Sequence, residues 1–506
     1  MKDGRGLAGV HEDATSVRPD RYSQLAALAR LLFRFYLYYA FLQLVIKLCA
    51  IRLSPFDRVF LLAGCISGLL IAPWVFSVGP VAPGHSRHIN ALVSNTYFSV
   101  FHAASIDVDT WHLPAIDARE ADKLIASVHL QVASNLQARD DLRAENELTN
   151  RGIRNVILII EESFAGETWQ NPDKRKQFMP SLIHWAGEGI FFENVYSTGS
   201  RTTRGMESLF HGVPPLPGIS LTQRPGYRRL PSLPRVFKES GFETTFLYGG
   251  WPDFSNFTEY WKNIGFENVV SKYDFEDRWF ETSWGVADEI LFEKLLGFMD
   301  ESIEKGRPVF VTTLTVSNHR PFDFPGGRIR FPSGERKLEY AMAYADWALG
   351  DFLKKAKAKS WYKNTLIIVV ADHGPKPIGN SAIPVNSFKI PLLFLGAGIE
   401  PKLFSNLGTI MDVPGTLIKM MHLPDGGRFW GNDLLSGVDG VVLMEHDYHL
   451  GLLAEGKLNI LKHNGDVESW QPGVRGKYVL VATDLEKINL ARAIFQTAHQ
   501  QFYAVE

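Results

Sequence analysis

The chain has 506 residues, 45% hydrophobic and 21% charged, enough apolar material for a large core and too much for a disordered chain. Its formal net charge of -2 gives no basic footprint, so nothing global points to nucleic acid as a partner. The two cysteines, Cys49 and Cys65, leave everything after them without a disulfide or a thiolate-metal option.

In chain order, residues 1–30 are polar, carry Arg18, Arg21 and Arg30, and lack a signal-peptide layout. Apolar stretches follow at 31–51 and 59–78. The second runs about 20 residues without a charge, long enough to span a bilayer. The first holds Arg34 and Lys47, so it either spans with those side chains snorkelling or lies flat at the surface. The other reading of both stretches is a buried hairpin of a soluble protein. If only 59–78 spans, the preceding arginines stay cytoplasmic and everything after Gly79 is exported. If both span, the N-terminus and the main domain share a side. Pro80, Pro83 and Gly84 then open a linker, 81–150, whose later part has helical composition.

From 151 to about 425, short β-branched apolar runs alternate with helical patterns, the signature of βαβ units and a mostly parallel sheet. Strands are predicted at 156–160, 189–196, 244–248, 309–316, 366–370 and 392–395, and helices at 179–186, 233–240, 288–305 and 335–358. The last of these is the clearest, with Leu338, Ala341, Met342, Ala345, Leu349 and Phe352 at helical spacing. From 426 to the end, shorter strands predominate, including 451–462, and Asn464-Gly465 signals a hairpin. An antiparallel subdomain with a closing helix at 485–498 is expected there.

Four polar turns follow the apolar runs. In such sheets ligands collect beyond the carboxyl ends of the strands. Glu161 and Glu162 end the first run, where a carboxylate is costly unless paired or bound to a cation; the alternative is a helix N-terminal region using acidic residues against the dipole. Asp372-His373-Gly374 puts a hard carboxylate beside an imidazole, a donor set suited to Mn²⁺, Mg²⁺ or Zn²⁺, although alone it could be an ordinary turn. Thr202 and Thr203 lie in a turn from Gly199 to Gly205. A threonine hydroxyl needs a metal ion or a base to act as a nucleophile. Arg201 and Arg204 beside it could grip phosphoryl oxygens, or be solvated around a Ser/Thr cap. His319, in Ser317-Asn318-His319, could bond an anionic substrate oxygen or protonate a leaving alcohol, where a lone histidine is more often structural.

Together, 155–164, 198–207 with its Arg201-Thr202-Thr203-Arg204-Gly205-Met206-Glu207 pattern, 317–322, 344–374 and 383–391 resemble the alkaline phosphatase superfamily. Within it they are most similar to lipoteichoic acid synthase-like, sulfatase-fold phosphotransferases and their Gram-negative phosphoglycerol transferase branch. The resemblance implies an α/β sulfatase-like fold, membrane anchoring with the main domain on the periplasmic side, and one divalent ion, most often manganese. It implies that Glu162, Thr202, Asp372 and His373 hold the ion, that Thr202 rather than Thr203 is the nucleophile, and that His319 faces the substrate. A membrane phospholipid donor and a glycan or other alcohol acceptor follow from the same likeness. The chain departs from the pattern at 248–257, where the arginine clamp of glycerol-phosphate-specific relatives is missing; Asp253 and Asn256 are the remaining contact candidates. It also has one or two membrane stretches where the family usually has about five. No Cys/Ser-Xaa-Pro-Xaa-Arg segment, from which true sulfatases form formylglycine, occurs.

Overall fold

The computed structural model describes residues 115–128 and 152–503, apart from 165, 219, 224, 253–256, 277–278, 376–378, 424–428 and 475–476. The apolar stretches 31–51 and 59–78 lie outside these residues, as does most of the 81–150 linker. No helix among the described residues is long and apolar enough to cross a membrane.

The strands run β1 (Asn155–Glu161), β2 (Ile190–Tyr196), β3 (Glu243–Tyr248), β4 (Asn268–Val270), β5 (Glu281–Thr282), β6 (Gly285–Val286), β7 (Val309–Leu314), β8 (Thr365–Ala371), β9 (Lys389–Gly396), β10 (Lys402–Phe404) and β11 (Gly408–Thr409). Nine of them form one sheet, ordered β10-β2-β9-β8-β1-β7-β3-β4 with β11 beside β2. Every neighbouring pair is parallel except those made by β9, which runs against β2 and β8. All residues of β1, β7 and β8 are buried, the reason their sequences read as unbroken apolar runs rather than alternating ones.

The helices that position the site are α1 (Ala118–Ala126), α2 (Pro180–Ala186), α3 (Thr202–His211), α4 (Leu233–Glu239), α5 (Asp288–Lys305), α6 (Leu338–Lys357), α7 (Asp412–Met421) and α8 (Leu485–Tyr503). Helix α5 has the predicted bounds and ends on Gly306, whose left-handed φ of 76° a side chain would resist. In α6 the predicted stripe is the buried face, with Ala341, Met342, Ala345, Leu349 and Phe352 turned inward. Its middle turn also carries a buried carboxylate: Asp346 accepts the Ser181 and Leu182 backbone N–H groups, each at 2.8 Å. That caps the start of α2, whose own N-cap residue, Met179, makes no side-chain cap.

A separate antiparallel sheet, β12 (Val442–His446), β13 (His449–Ala454), β14 (Lys457–Leu461), β15 (Val467–Pro472) and β16 (Tyr478–Val481), follows in simple meander order and packs against α8. The Asn464-Gly465 signal falls in the loop between β14 and β15. The run 451–462, read as one strand, is instead folded back on itself at Glu455-Gly456, both with positive φ.

Candidate metal centre and active site

Strand ends bring the polar turns together. β1 and β8 are adjacent and parallel in register, so Glu162 and Asp372, one residue beyond Glu161 and Ala371, leave the sheet side by side. β7 lies on the other side of β1 and delivers 317–319. β2 runs in the same direction and leads through Ser197–Ser200 into α3. One ligand atom each from Glu162, Asp372 and His373 lies within 4.8 Å of the others, and all three residues are buried.

Second contacts hold this cluster. Asp372 Oδ1 accepts the backbone N–H groups of Ser163 and His373 at 2.9 and 2.7 Å, while Oδ2 is buried with no hydrogen-bond partner. His373 Nδ1 is 2.7 Å from the Gly374 carbonyl, an orientation that turns Nε2 toward Glu162 Oε1 at 3.5 Å and Asp372 Oδ2 at 3.4 Å. The Ser163 hydroxyl donates to Glu162 Oε1 at 2.6 Å, and the Asn318 side chain donates to the Glu162 carbonyl at 3.0 Å. Ser163 itself sits at φ 48°, a left-handed conformation costing on the order of 1 kcal/mol and held by its bond to Asp372.

The electrostatics call for a cation. Burial, then the neighbouring Glu162 carboxylate, pushes Asp372 well above the usual carboxylate range. Burial acts on Glu162 too, but His319 and His373 together hold it below its ordinary value. Burial lowers His373, favouring the neutral imidazole that ligates metals. Two buried carboxylates and a neutral imidazole converging on an orphaned oxygen fit a divalent ion, and these residues could coordinate one.

Thr202 is not in a turn, as the glycine spacing suggests, but is the first residue of α3, with Arg201 as N-cap. Its buried hydroxyl donates to Glu162 Oε2 at 2.9 Å. The Arg204 and Gly205 amides bond the Arg201 carbonyl at 2.9 and 3.1 Å, which leaves the Thr202 and Thr203 amides of the first turn without an intrahelical acceptor, and the helix dipole favours negative charge there. Gly205 explains part of the motif: a Cβ built on it would sit 2.3 Å from the Asp372 carbonyl oxygen, so only glycine lets α3 approach the Asp372 loop this closely.

The two arginines part company. Arg201 is exposed and lines the cavity, which has a volume of about 710 Å³. Arg204 is buried, 3.0 Å from Glu207 Oε2 and 3.6 Å from Glu445 Oε2, and also donates to the Gly218 carbonyl. Its guanidinium is taken up by the protein. Thr203 is half-buried on the same cavity wall. Glu161, by contrast, points away from the cavity residues and accepts from Thr315 at 3.1 Å, with burial first and Asp288 second raising it well above its ordinary value.

His319 Nε2 lies 3.5 Å from Glu162 Oε1, with its side chain 22% exposed. Trp284, from the β5–β6 turn, stacks on it with ring centroids 3.9 Å apart and planes 18° from parallel, while its indole N–H donates to the Arg320 carbonyl at 2.6 Å. Asp253 and Asn256 lie outside the described residues. Sequence reasoning missed Ser163, Asn318 and Trp284. The first two were visible as polar neighbours of flagged residues; nothing local marks Trp284.

The Sulfatase family model matches residues 154–423. Phosphoglycerol transferase I of Xanthomonas axonopodis pv. citri is 26% identical over 293 residues, covering 53% of this chain and 41% of that protein. Lipoteichoic acid synthase 1 of Bacillus subtilis is 25% identical over 312 residues, covering 56% of this chain and 48% of that protein. The chain thus spans less than half the length of these curated relatives. Among solved structures, a protein in the alkaline phosphatase superfamily from Vibrio parahaemolyticus superposes with a TM-score of 0.68 at 26% identity, covering 78% of this chain and 98% of that one. The lipoteichoic acid synthase LtaP from Listeria monocytogenes shares the fold, with a TM-score of 0.61 at 18% identity over 77% of this chain and 98% of that one. With its matched strands carrying the buried carboxylate-imidazole cluster, the chain belongs to the Sulfatase family, within the alkaline phosphatase superfamily.

Proposed function

We propose that this protein is a membrane-anchored, metal-dependent phosphotransferase. It moves a phosphoglycerol-type headgroup from a phospholipid donor to a hydroxyl of a glycan or other alcohol, on the extracytoplasmic side of the membrane. The reading rests on one observation above the others: a threonine hydroxyl at a helix N-terminus, bonded at 2.9 Å to a carboxylate of a buried Glu-Asp-His cluster. The names of the relatives and the apolar stretches before residue 80 support the donor and the anchoring.

Glu162, Thr202, Asp372 and His373 would hold the ion, for which the mixture of oxygen donors with one imidazole favours manganese over magnesium. When bound, the cation would lower the pKa of the threonine hydroxyl and neutralise charge on the phosphoryl oxygens. Arg201 and the Thr202 and Thr203 amides of α3 receive the remaining phosphoryl oxygens. Thr202 Oγ passes its proton to Glu162 Oε2, 2.9 Å away, and attacks phosphorus, the bond to the lipid alcohol breaks in line, and His319 supplies that alcohol's proton. His319 then takes the proton from the acceptor hydroxyl, whose oxygen displaces Thr202, and Thr202 recovers its proton from Glu162. Trp284 keeps the imidazole flat against the cavity while this happens.

The test is chemical. Full-length protein incubated with Mn²⁺ and headgroup-labelled phosphatidylglycerol should gain one label, mapped by mass spectrometry to Thr202. Thr202→Ala should carry none and lose turnover by about a thousandfold or more, with an unchanged fold. Label elsewhere, or turnover surviving in the alanine variant, would overturn the mechanism.

A further inference from the structure

The cavity has a wall that the mechanism leaves unused. Glu445, Asp447 and Tyr448 line it together with Thr202 and His319, yet they belong to the C-terminal antiparallel sheet. We propose that the β12–β13 turn is an acceptor subsite that takes a carbohydrate-like, polyhydroxylated ligand. The proposal deepens the transfer reading and rests on it for the word acceptor.

The turn is fixed to the nucleophile's own loop at three points. The Glu445 backbone N–H donates to the Thr198 carbonyl at 2.7 Å, the Glu445 carboxylate faces Arg204 at 3.6 Å, and His446 Nδ1 lies 3.1 Å from the Ser200 hydroxyl. Glu445 Oε1 also accepts the Tyr448 backbone N–H at 3.0 Å, closing the turn. His446 pairs with His449, so the connection has two residues, Asp447 and Tyr448, and both have positive φ, 50° and 66°. Such a turn favours asparagine and glycine. Tyrosine in that conformation costs on the order of 1 kcal/mol. Tyr448 nonetheless stays 38% exposed and lines the cavity.

What the turn does present is an aromatic ring beside a carboxylate, at the mouth of a cavity already holding the phosphoryl machinery. A flat ring covers the C–H face of a pyranose, and a carboxylate accepts from its hydroxyls. A cavity of about 710 Å³ is also larger than a glycerol-phosphate headgroup fills, within the range of roughly 300–1,000 Å³ that holds drug-sized ligands.

The experiment measures binding and partition separately on the full-length protein in detergent. Binding of cellohexaose would be followed by saturation-transfer NMR and titration, and the ratio of headgroup transferred to cellohexaose over headgroup released to water would be counted with labelled phosphatidylglycerol. Tyr448→Asn removes the ring but suits the left-handed backbone, so the turn survives; Tyr448→Phe keeps the ring. The asparagine variant should bind cellohexaose about tenfold more weakly and lower the transfer ratio by a similar factor, while the phenylalanine variant stays within about threefold of wild type on both. Wild-type protein that binds no oligosaccharide, or an asparagine variant that binds it equally well, overturns the subsite even where Thr202 becomes labelled. Ring-dependent binding without any labelled Thr202 would uphold the subsite and sink the transfer chemistry instead.

Discussion

Arg201 and Arg204 look interchangeable in the sequence, two cations flanking a pair of threonines, and the fold gives them different work. Arg204 is locked between Glu207, three residues on along α3, and Glu445, which arrives from the other sheet. Glu207 is itself committed, accepting from the Leu221 backbone at 2.5 Å as well as from Ser220 and Arg204. Removing Arg204 therefore leaves the buried Glu207 and the half-buried Glu445 without their shared countercharge. Arg204→Ala should cost about 3–5 kcal/mol in stability, read as a lower denaturation midpoint, because the surviving carboxylates keep hydrogen-bond donors but lose the cation that offsets their burial. Arg201→Ala should leave the midpoint within about 0.5 kcal/mol, as a surface change does, and should instead raise the donor concentration needed for half-maximal turnover. Equal losses of stability in the two variants would contradict the division. The i,i+3 relation of Arg204 to Glu207 was visible in the sequence, but the partner 241 positions away was not.

At the level of elements, periodicity carried the long helices and hydrophobic continuity carried the buried strands. What escaped was set by contacts between elements. Thr202 reads as a turn residue because it stands among serine, glycine and arginine, yet the approach of Gly205 to the Asp372 backbone starts α3 at that point. The fold-back at Glu455-Gly456 escaped because both strands are buried on both faces, so apolar runs stand on either side of it. The start of α2 is another such case, capped not by its own sequence but by Asp346 from α6. Burial pushes Asp346 up to about 6 from an ordinary 3.8. Below pH 4 the carboxyl is neutral in both the folded and unfolded chain. Between pH 4 and 6 the unfolded chain loses the proton while the fold keeps it, so stability falls as pH rises; above 6 both are ionised and the loss levels off. Asp346→Asn cannot titrate. From pH 5 to pH 7 its stability should therefore shift by about 1 kcal/mol in its favour relative to wild type, whatever the offset at pH 5. Denaturant midpoints of both proteins at the two pH values check it, and a constant gap would show that Asp346 is ionised in the fold throughout.

Across the whole molecule, Glu162, His319, Asp372 and His373 meet because β8, β1 and β7 are neighbours pointing the same way, and Thr202 joins them from α3, beyond β2. That convergence was readable in advance, since parallel strands deliver their following turns to one edge. The entry of the β12–β13 turn was not, because an antiparallel meander fixes its own register and says nothing about where the subdomain docks. The assembled site ties cation binding to the stability of the entire sheet, since no unfolded chain gathers Glu162, Asp372 and His373. Without a cation, burial and Glu162 push Asp372 well above its ordinary range, which favours its protonated form. A divalent ion needs both carboxylates ionised and must displace that proton. Adding MnCl₂ to chelator-stripped full-length protein should then release protons, seen as a binding heat that varies with the ionisation enthalpy of the buffer. The same addition should stabilise the fold, by about 2.7 kcal/mol at a hundredfold excess over the dissociation constant. Asp372→Asn has no proton to lose there and one ligand fewer, so both the buffer dependence and most of the stabilisation should vanish together. Binding of Mn²⁺ with no proton released would mean that Asp372 is already ionised in the empty site, and that some other group balances its charge.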